Sequence, residues 1–210
     1  LIVLPETFTS GFSNEALANA EGMEGPTVAW MRAQAKHLGA VVTGSVQIRD
    51  GDGVYNRLLW ATPDGGLRHY DKRHLFRMAR EHERYLAGRE RLTVELNGWR
   101  ICPLVCYDLR FPVFIRNRFG VEAEARFDYD LLLFVANWPA ARRNAWRTLL
   151  RARAMENLSN VVGVNRVGRD GNGLDYAGDS VALDFIGEPL VELGPQVQVA
   201  NVVFSAKELA

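Results

Sequence analysis

A short, mostly apolar run that stops abruptly at a thiol is the feature that most constrains the fold of this chain. The run Ile101-Cys-Pro-Leu-Val-Cys106 is followed at once by the polar pair Tyr107 and Asp108. A continuous apolar run of this length is typical of a strand buried inside a layered protein. Cys106 would then lie at the carboxyl end of that strand, where α/β proteins place their reacting groups.

The rest of the chain predicts further strands, separated by turns and two amphipathic helices. The expected strands are Leu1–Leu4, Ala40–Ile48, Val54–Ala61, Leu67–Asp71, Leu92–Leu96, Trp99–Tyr107, Leu131–Ala136, Val161–Val167, Val181–Ile186 and Val197–Phe204. Helices are expected over Pro26–Leu38 and Ala141–Asn157, with a third opening at Pro112. Arg77–Arg91 is a surface helix or a loop, Gly168–Gly173 a hairpin turn and Val121–Arg126 a surface insertion. This pattern indicates an α/β layered sandwich, with residues 1–210 as a single domain.

The charge balance excludes several classes of partner. The chain has 210 residues with 25 basic and 25 acidic side chains, so it presents no net charge to a polyanion. Nucleic-acid binders usually carry a basic face, and none is visible here. No apolar run approaches the ~20 residues that cross a bilayer. We therefore expect neither a nucleic-acid nor a membrane partner.

The two cysteines cannot form a disulfide with each other. Cys102 and Cys106 are four residues apart in one extended run, which separates their Cα atoms by roughly 13 Å at ~3.3 Å per residue. A disulfide requires Cα atoms within about 7 Å. Both thiols should therefore be reduced, which predicts a cytoplasmic protein.

Three predicted strands end in side chains that together could carry covalent catalysis. Glu6 follows the first strand, Lys72 follows Leu67–Asp71 and Cys106 ends the central run. A carboxylate can remove the proton of a thiol, and an ammonium can stabilise both a thiolate and an oxyanion. These residue types occur in almost every protein, so a core thiol with solvated surface charges is the alternative interpretation.

Five segments resemble the nitrilase, or carbon–nitrogen hydrolase, superfamily over nearly the whole chain. They are Leu4-Pro-Glu-Thr-Phe8, Tyr70-Asp-Lys-Arg-His-Leu-Phe76, Val105-Cys-Tyr-Asp-Leu-Arg-Phe-Pro112, Val135-Ala-Asn-Trp-Pro139 and Leu150-Arg-Ala-Arg-Ala-Met-Glu-Asn157. The resemblance implies a Glu-Lys-Cys triad of Glu6, Lys72 and Cys106. It also implies an α-β-β-α four-layer sandwich, truncated here at both ends. The family's first strand and helix, and its C-terminal tail, are expected to be missing.

The resemblance assigns further residues to the site. A second glutamate is expected between the lysine and the cysteine; Glu81 fits best, seven residues before Gly88, and Glu83 is the rival. Position in the sequence suggests two more. Tyr107 directly follows Cys106, so its backbone N–H could be a second oxyanion donor; Trp138 follows the Leu131–Ala136 strand, so we expect it to form a wall of the substrate pocket, with ordinary core packing as the alternative. An activated Cys106 would titrate below free cysteine.

Two charged pairs are expected to be structural. Asp108 and Arg110 would form an ion pair that holds the turn after Cys106. Arg153 and Glu156 lie three residues apart on the second long helix and would pair there.

Within the superfamily the chain is most similar to bacterial omega-amidases, which hydrolyse the terminal amide of 2-oxoacid monoamides through a cysteine thioester. The partners would be a small amide and water, with no cofactor and no metal, in a homodimer. One alternative keeps the triad but acts on another amide, a nitrile or a carbamoyl compound. A second alternative is a non-catalytic scaffold with the same fold.

Overall fold

The computed structural model describes residues 1–13, 15–120 and 126–205, so most of the expected insertion at 121–126 lies outside it. A first sheet has four strands in the order β1-β2-β3-β4. These strands are β1 (Ile2–Val3), β2 (Val42–Asp50), β3 (Gly53–Ala61) and β4 (Leu67–Asp71). β1 runs parallel to β2, and the remaining pairs are antiparallel. β1, β2 and β4 therefore point the same way and end at one rim.

A second sheet of six strands contains the cysteine run. Two short hairpins lie outside it, β7 (Phe119–Gly120) with β8 (Arg126–Phe127) and β11 (Val167–Arg169) with β12 (Asp175–Ala177). The six strands are β5 (Val94–Leu96), β6 (Trp99–Val105), β9 (Leu131–Ala136), β10 (Asn160–Asn165), β13 (Val181–Leu183) and β14 (Pro189–Glu192). β6, β9 and β10 are parallel neighbours, so Cys106 and Asn137 both follow carboxyl ends at one edge.

The two sheets pack face to face, with one helix outside each. Side chains of β3 alternate between the two sides, as the two-residue period of a strand requires. Leu58 and Trp60 point into the core shared with the second sheet, whereas Leu59 and Ala61 pack against α1 (Pro26–Leu38). On the far side, Trp146 and other apolar residues of α3 (Arg143–Asn157) join the core of the second sheet. The observed layers are those of an α-β-β-α sandwich.

The helices begin and end close to their predicted positions. α1 starts at Pro26 and stops at Gly39, which adopts the left-handed conformation that glycine tolerates. Its buried face is formed by Val28, Met31 and Ala35, whereas Leu38 at its end is 51% exposed. At Pro112 the helix is a single turn, α2 (Pro112–Ile115). No helix in the described ranges is long and apolar enough to span a bilayer.

Several predicted strands differ from the structure at their ends, three of them clearly. Leu1–Leu4 contains only the two-residue β1, and Leu1 is 46% exposed because β1 is the outermost strand of its sheet. The predicted Trp99–Tyr107 strand stops at Val105, because residues 106–110 form a 3₁₀ turn. Val181–Ile186 ends at Leu183, where a turn begins.

The predicted strand over Val197–Phe204 does not form. Apolar residues alternate along this segment, but the chain there pairs with no described strand. Three of its valines, Val197, Val199 and Val203, are consequently almost fully exposed, Val199 by 94%. Only Phe204 packs on the core, with its ring centroid 6.0 Å from that of Trp99.

Candidate active site

Glu6 lies just beyond β1 and is 1% exposed. One carboxylate oxygen accepts hydrogen bonds from Lys72 Nζ at 2.9 Å and from Asn56 Nδ2 at 2.8 Å. The other accepts the backbone N–H of Asn137 at 2.7 Å. Both oxygens are therefore held by donors from three separate strands or strand ends, which fixes the orientation of a buried carboxylate.

Lys72 brings the two predicted glutamates together. Its Nζ lies 2.9 Å from Glu6 Oε1 and 3.0 Å from Glu81 Oε2, and all three side chains are fully buried. Burial alone would lower the pKa of this ammonium, but Glu6 and Glu81 outweigh that effect and raise the pKa well above its ordinary value. Lys72 is thus a permanent cation between two carboxylates.

Glu81 and its rival Glu83 occupy opposite environments. Glu81 is buried in a 3₁₀ turn, where its carboxylate also accepts the backbone N–H of Phe76 at 2.5 Å. Burial raises the pKa of Glu81, although Lys72 acts against it. Glu83 points outward and pairs with the exposed Arg80 at 2.7 Å. The structure therefore brings Glu81, and not Glu83, to the cluster.

Two asparagines in this cluster were missed by the sequence interpretation. Asn56 Nδ2 bridges the carboxylates of Glu6 and Glu81, at 2.8 and 3.3 Å. Asn137 binds Glu6 through its backbone N–H and through its side chain, which donates to the Glu6 carbonyl at 2.8 Å. Asn137 lies in the Asn-Trp-Pro segment directly after β9, so its position at a strand end was a signal. Asn56 lies inside β3, and nothing in the sequence around it indicates a place in the site.

Cys106 begins the 3₁₀ turn after β6 in a strained backbone conformation. Its φ is +46°, a left-handed value that a non-glycine residue rarely adopts. The residue is 9% exposed, and its thiol lies close enough to the Glu6 carboxylate and the Lys72 ammonium for both charges to act on it. Burial, followed by the negative charge of Glu6, raises the pKa of the Cys106 thiol well above its ordinary value, although Lys72 opposes this. This direction is opposite to the one expected of an activated thiol, because the resting thiol is dry and faces a carboxylate.

Asp108 stabilises the turn after Cys106 through hydrogen bonds to other residues than Arg110. The Asp108 carboxylate accepts the Tyr70 hydroxyl at 2.8 Å, and the backbone N–H groups of His74 at 2.9 Å and Val105 at 3.1 Å. It also contacts His74 Nδ1 at 2.8 Å. The predicted Asp108–Arg110 ion pair is wrong, since inward-facing donors already occupy Asp108. Arg110 is exposed and lies over the Trp138 ring, 5.1 Å from its centroid.

The other predicted ion pair is present and supports the same turn from outside. Arg153 Nη1 lies 2.7 Å from Glu156 Oε1 on α3. The guanidinium of Arg153 also donates to the Leu109 carbonyl at 2.7 and 3.0 Å. α3 is thereby tied to the residues that follow Cys106.

Tyr107 and Trp138 line the same rim. The half-buried Tyr107 ring lies 5.1 Å from that of Phe76. Trp138 is 3% exposed, and its indole N–H donates to the Arg142 carbonyl at 2.9 Å. Its backbone N–H donates to Asn165 Oδ1 at 2.7 Å. Both residues follow strand ends beside Cys106, as their places in the sequence predicted.

A buried thiol beside a carboxylate, with an ammonium bound to that carboxylate, defines a hydrolase of the cysteine-nucleophile class. Among the side chains that the structure describes, no group of three or more His, Cys, Asp or Glu could hold a metal ion.

Comparison with known proteins places the chain within that class. Residues 1–203 match the carbon–nitrogen hydrolase family model, and the chain belongs to this family. It is 53% identical over 195 residues to omega-amidase YafV of Yersinia enterocolitica, covering 93% of this chain and 73% of that protein. It is 34% identical to 2-oxoglutaramate amidase of Bacillus subtilis, covering 100% of this chain and 80% of that one.

A solved structure shares the fold very closely. A CN-hydrolase superfamily protein from Xanthomonas campestris, with an arsenic adduct in its active site, superposes with a TM-score of 0.97 and 67% sequence identity. The match covers 99% of this chain and 78% of that one.

Proposed function

We propose that this chain is an omega-amidase that hydrolyses the terminal amide of a 2-oxoacid monoamide, such as 2-oxoglutaramate, to the dicarboxylate and ammonia. The observation that carries the proposal is the buried Glu6–Lys72–Glu81 cluster directly beside the Cys106 thiol. The names of the two amidase relatives support the substrate class.

In the first half of the reaction, Glu6 takes the proton of Cys106 as the sulfur attacks the amide carbonyl carbon. The carbonyl oxygen becomes an oxyanion, held by Lys72 and by the backbone N–H of Tyr107. Glu6 then gives the proton to the leaving nitrogen. The carbon–nitrogen bond breaks, ammonia departs and a thioester remains on Cys106.

In the second half, Glu6 takes a proton from water while the water oxygen attacks the thioester. The tetrahedral intermediate uses the same oxyanion donors. When it collapses, the carbon–sulfur bond breaks, the proton returns to the sulfur and the carboxylic acid leaves. Glu6 serves both halves because its carboxylate is held in one orientation by Lys72, Asn56 and Asn137.

The raised pKa of Cys106 explains why a base is needed at all. At neutral pH the resting thiol is protonated, so its nucleophilicity depends on proton transfer at the moment of attack. The Glu6 carboxylate is the basic group whose charge acts most strongly on that thiol, so Glu6 is the group in place for this transfer. Glu81 would keep Lys72 charged and aligned from the other side.

Ammonia release from 2-oxoglutaramate tests the proposal. We expect turnover by the parent and a fall of about 10³-fold or more in Cys106→Ala. The matched control is Cys102→Ala, because Cys102 is also a fully buried free thiol but lies inside β6, away from the rim. Equal losses in the two variants would argue against Cys106 as the nucleophile. Release from nitriles or carbamoyl compounds, but not from 2-oxoglutaramate, would reject the substrate.

The same proposal includes one catalytic domain over residues 1–210, a homodimer and a cytoplasmic location. Apolar side chains exposed on or beside the outer helices, Val113 at 87% and Met155 at 51%, support self-association. The two free thiols, Cys102 and Cys106, support a reducing compartment. Light scattering would test the dimer: a monomeric mass at micromolar concentration would reject it.

A further inference from the structure

Arg166 lies at the active-site rim, directly after β10. Its backbone N–H donates to the Ala136 carbonyl at 3.3 Å. Ala136 is the last residue of β9 and precedes Asn137, which holds the Glu6 carboxylate. Arg166 is therefore fixed beside the strand end that orients the proposed base.

The guanidinium of Arg166 contacts two elements that surround Glu6. It lies over the ring of the buried Tyr176, 4.6 Å from the centroid. Its Nη1 is 2.9 Å from the position that a Cβ would take at Gly11. Gly11 itself donates to the Thr7 carbonyl at 2.8 Å, within the loop that begins at Glu6.

This cation is half-buried, and none of the described carboxylates forms a direct ion pair with it. Among the side chains that the structure describes, no acidic oxygen lies within 4.0 Å of its guanidinium. The carboxylate of Asp170 nearby is already occupied by the Tyr176 hydroxyl and by the backbone N–H of Leu174, both at 2.9 Å. Arg166 and Asp170 attract each other without a direct bond, so the guanidinium donors of Arg166 remain available to the carboxylate of a ligand.

We propose that Arg166 binds the free carboxylate of the substrate and so selects amides of dicarboxylic acids. This inference rests on the proposed function, which places the amide carbon at Cys106. The free carboxylate of 2-oxoglutaramate is separated from the amide carbon by only three carbon atoms, so it lies among the rim elements around Glu6. Arginine suits this role because its planar fork can bind a carboxylate through two parallel hydrogen bonds.

Arg142 is the natural control. It is also half-buried, over the ring of Phe76 at 5.4 Å, and its Nη2 lies 3.9 Å from Met78 Sδ. These contacts place it against the turns at 76–78 rather than against the loop after Glu6. Arg142→Met therefore removes a comparable cation from a different part of the rim.

The kinetic test compares 2-oxoglutaramate with levulinamide, the analogue in which a methyl group replaces the carboxylate. We expect Arg166→Met to lower kcat/KM for 2-oxoglutaramate about 10- to 100-fold, mostly through KM, and to leave levulinamide within about twofold. Arg166→Lys should recover part of the loss, and Arg142→Met should preserve the preference. An equal loss on both amides, or a larger change of preference in Arg142→Met, would overturn the assignment.

A binding measurement decides the inference even without turnover. Calorimetry would follow 2-oxoglutarate binding to Cys106→Ala, with and without Arg166→Met. Loss of binding on removal of Arg166 supports the assignment, whereas unchanged or absent binding rejects it. If the parent released no ammonia from either amide, the proposed function would fail, and calorimetry would still judge Arg166 separately.

Discussion

Two buried polar groups meet at the rim, and they use charge in different ways. In the cluster of Glu6, Lys72 and Glu81, the bonds that define the group join one charged side chain to another. In the turn after Cys106, a single carboxylate, Asp108, takes two of its bonds from backbone N–H groups. The first arrangement keeps proton carriers next to the thiol, whereas the second fixes the path of the chain. The comparison distinguishes residues proposed to take part in proton transfer from residues that hold the backbone of the turn in place.

The largest effect should follow Lys72→Met, which leaves two buried carboxylates facing each other. We expect loss of turnover and a fall of about 3–5 kcal/mol in the free energy of unfolding. Without Lys72, the pKa of Glu81 in the folded state rises further, so the folded variant binds a proton that the unfolded chain releases above about pH 4.5. The deficit relative to the parent should shrink as pH falls towards 5. Urea melts at pH 5 and pH 8 would show this, and an equal deficit at both would contradict it.

Glu6→Gln tests whether that cluster serves catalysis rather than stability alone. Turnover should fall about 10²- to 10⁴-fold, because the proton acceptor is gone. The pKa of Cys106 should fall at the same time, since the charge of Glu6 is one of the causes that raise it. Alkylation by iodoacetamide across a pH series would then show a midpoint below that of the parent. A midpoint that stayed or rose would mean that Glu6 does not control the thiol.

Asp108→Asn tests the turn after Cys106, where this carboxylate receives its hydrogen bonds. An amide cannot accept all the hydrogen bonds that this carboxylate receives, so the free energy of unfolding should fall by about 1–3 kcal/mol. Turnover should fall about 10- to 100-fold through misplacement of Cys106. The pH midpoint of alkylation should move less than in Glu6→Gln. Tyr70→Phe, which removes one of these bonds, is the milder control.

The smallest effect should come from Arg153→Met, which acts on the same turn from α3. Losing the bonds to the Leu109 carbonyl should cost about 1–3 kcal/mol of stability, with turnover within a few-fold of the parent. Arg80→Met removes an exposed pair and should leave Tm unchanged. If the two variants melted alike, the buried bond to the turn would be unimportant.

The elements that could be predicted from the sequence are those whose signal lies in a short local pattern. Leu131–Ala136 and Leu67–Asp71 form strands with the predicted bounds, because short apolar or alternating runs between turns are self-contained signals. The rim positions of Glu6, Lys72 and Cys106 followed from their places at strand ends. Glu81 was separated from Glu83 by resemblance alone, since both lie in one charged segment.

What the sequence could not predict depends on neighbours far away along the chain. Asn56 reaches a glutamate fifty positions earlier, and nothing in the pattern of β3 marks that side chain as different from its neighbours. The left-handed φ of Cys106 likewise leaves no mark in the sequence, and the turn that it begins is bonded to Tyr70, far earlier in the chain. The failed strand at Val197–Phe204 had the right alternation but no partner.

At position 106 the backbone conformation and the catalytic side chain favour different residues. A left-handed conformation costs an ordinary residue about 1–2 kcal/mol, and glycine is the residue that escapes this cost. Glycine, however, has no thiol. In a lineage that no longer needed the reaction, drift towards greater stability would therefore favour glycine here. A cysteine retained at this position in a descendant would indicate that its chemistry is still under selection.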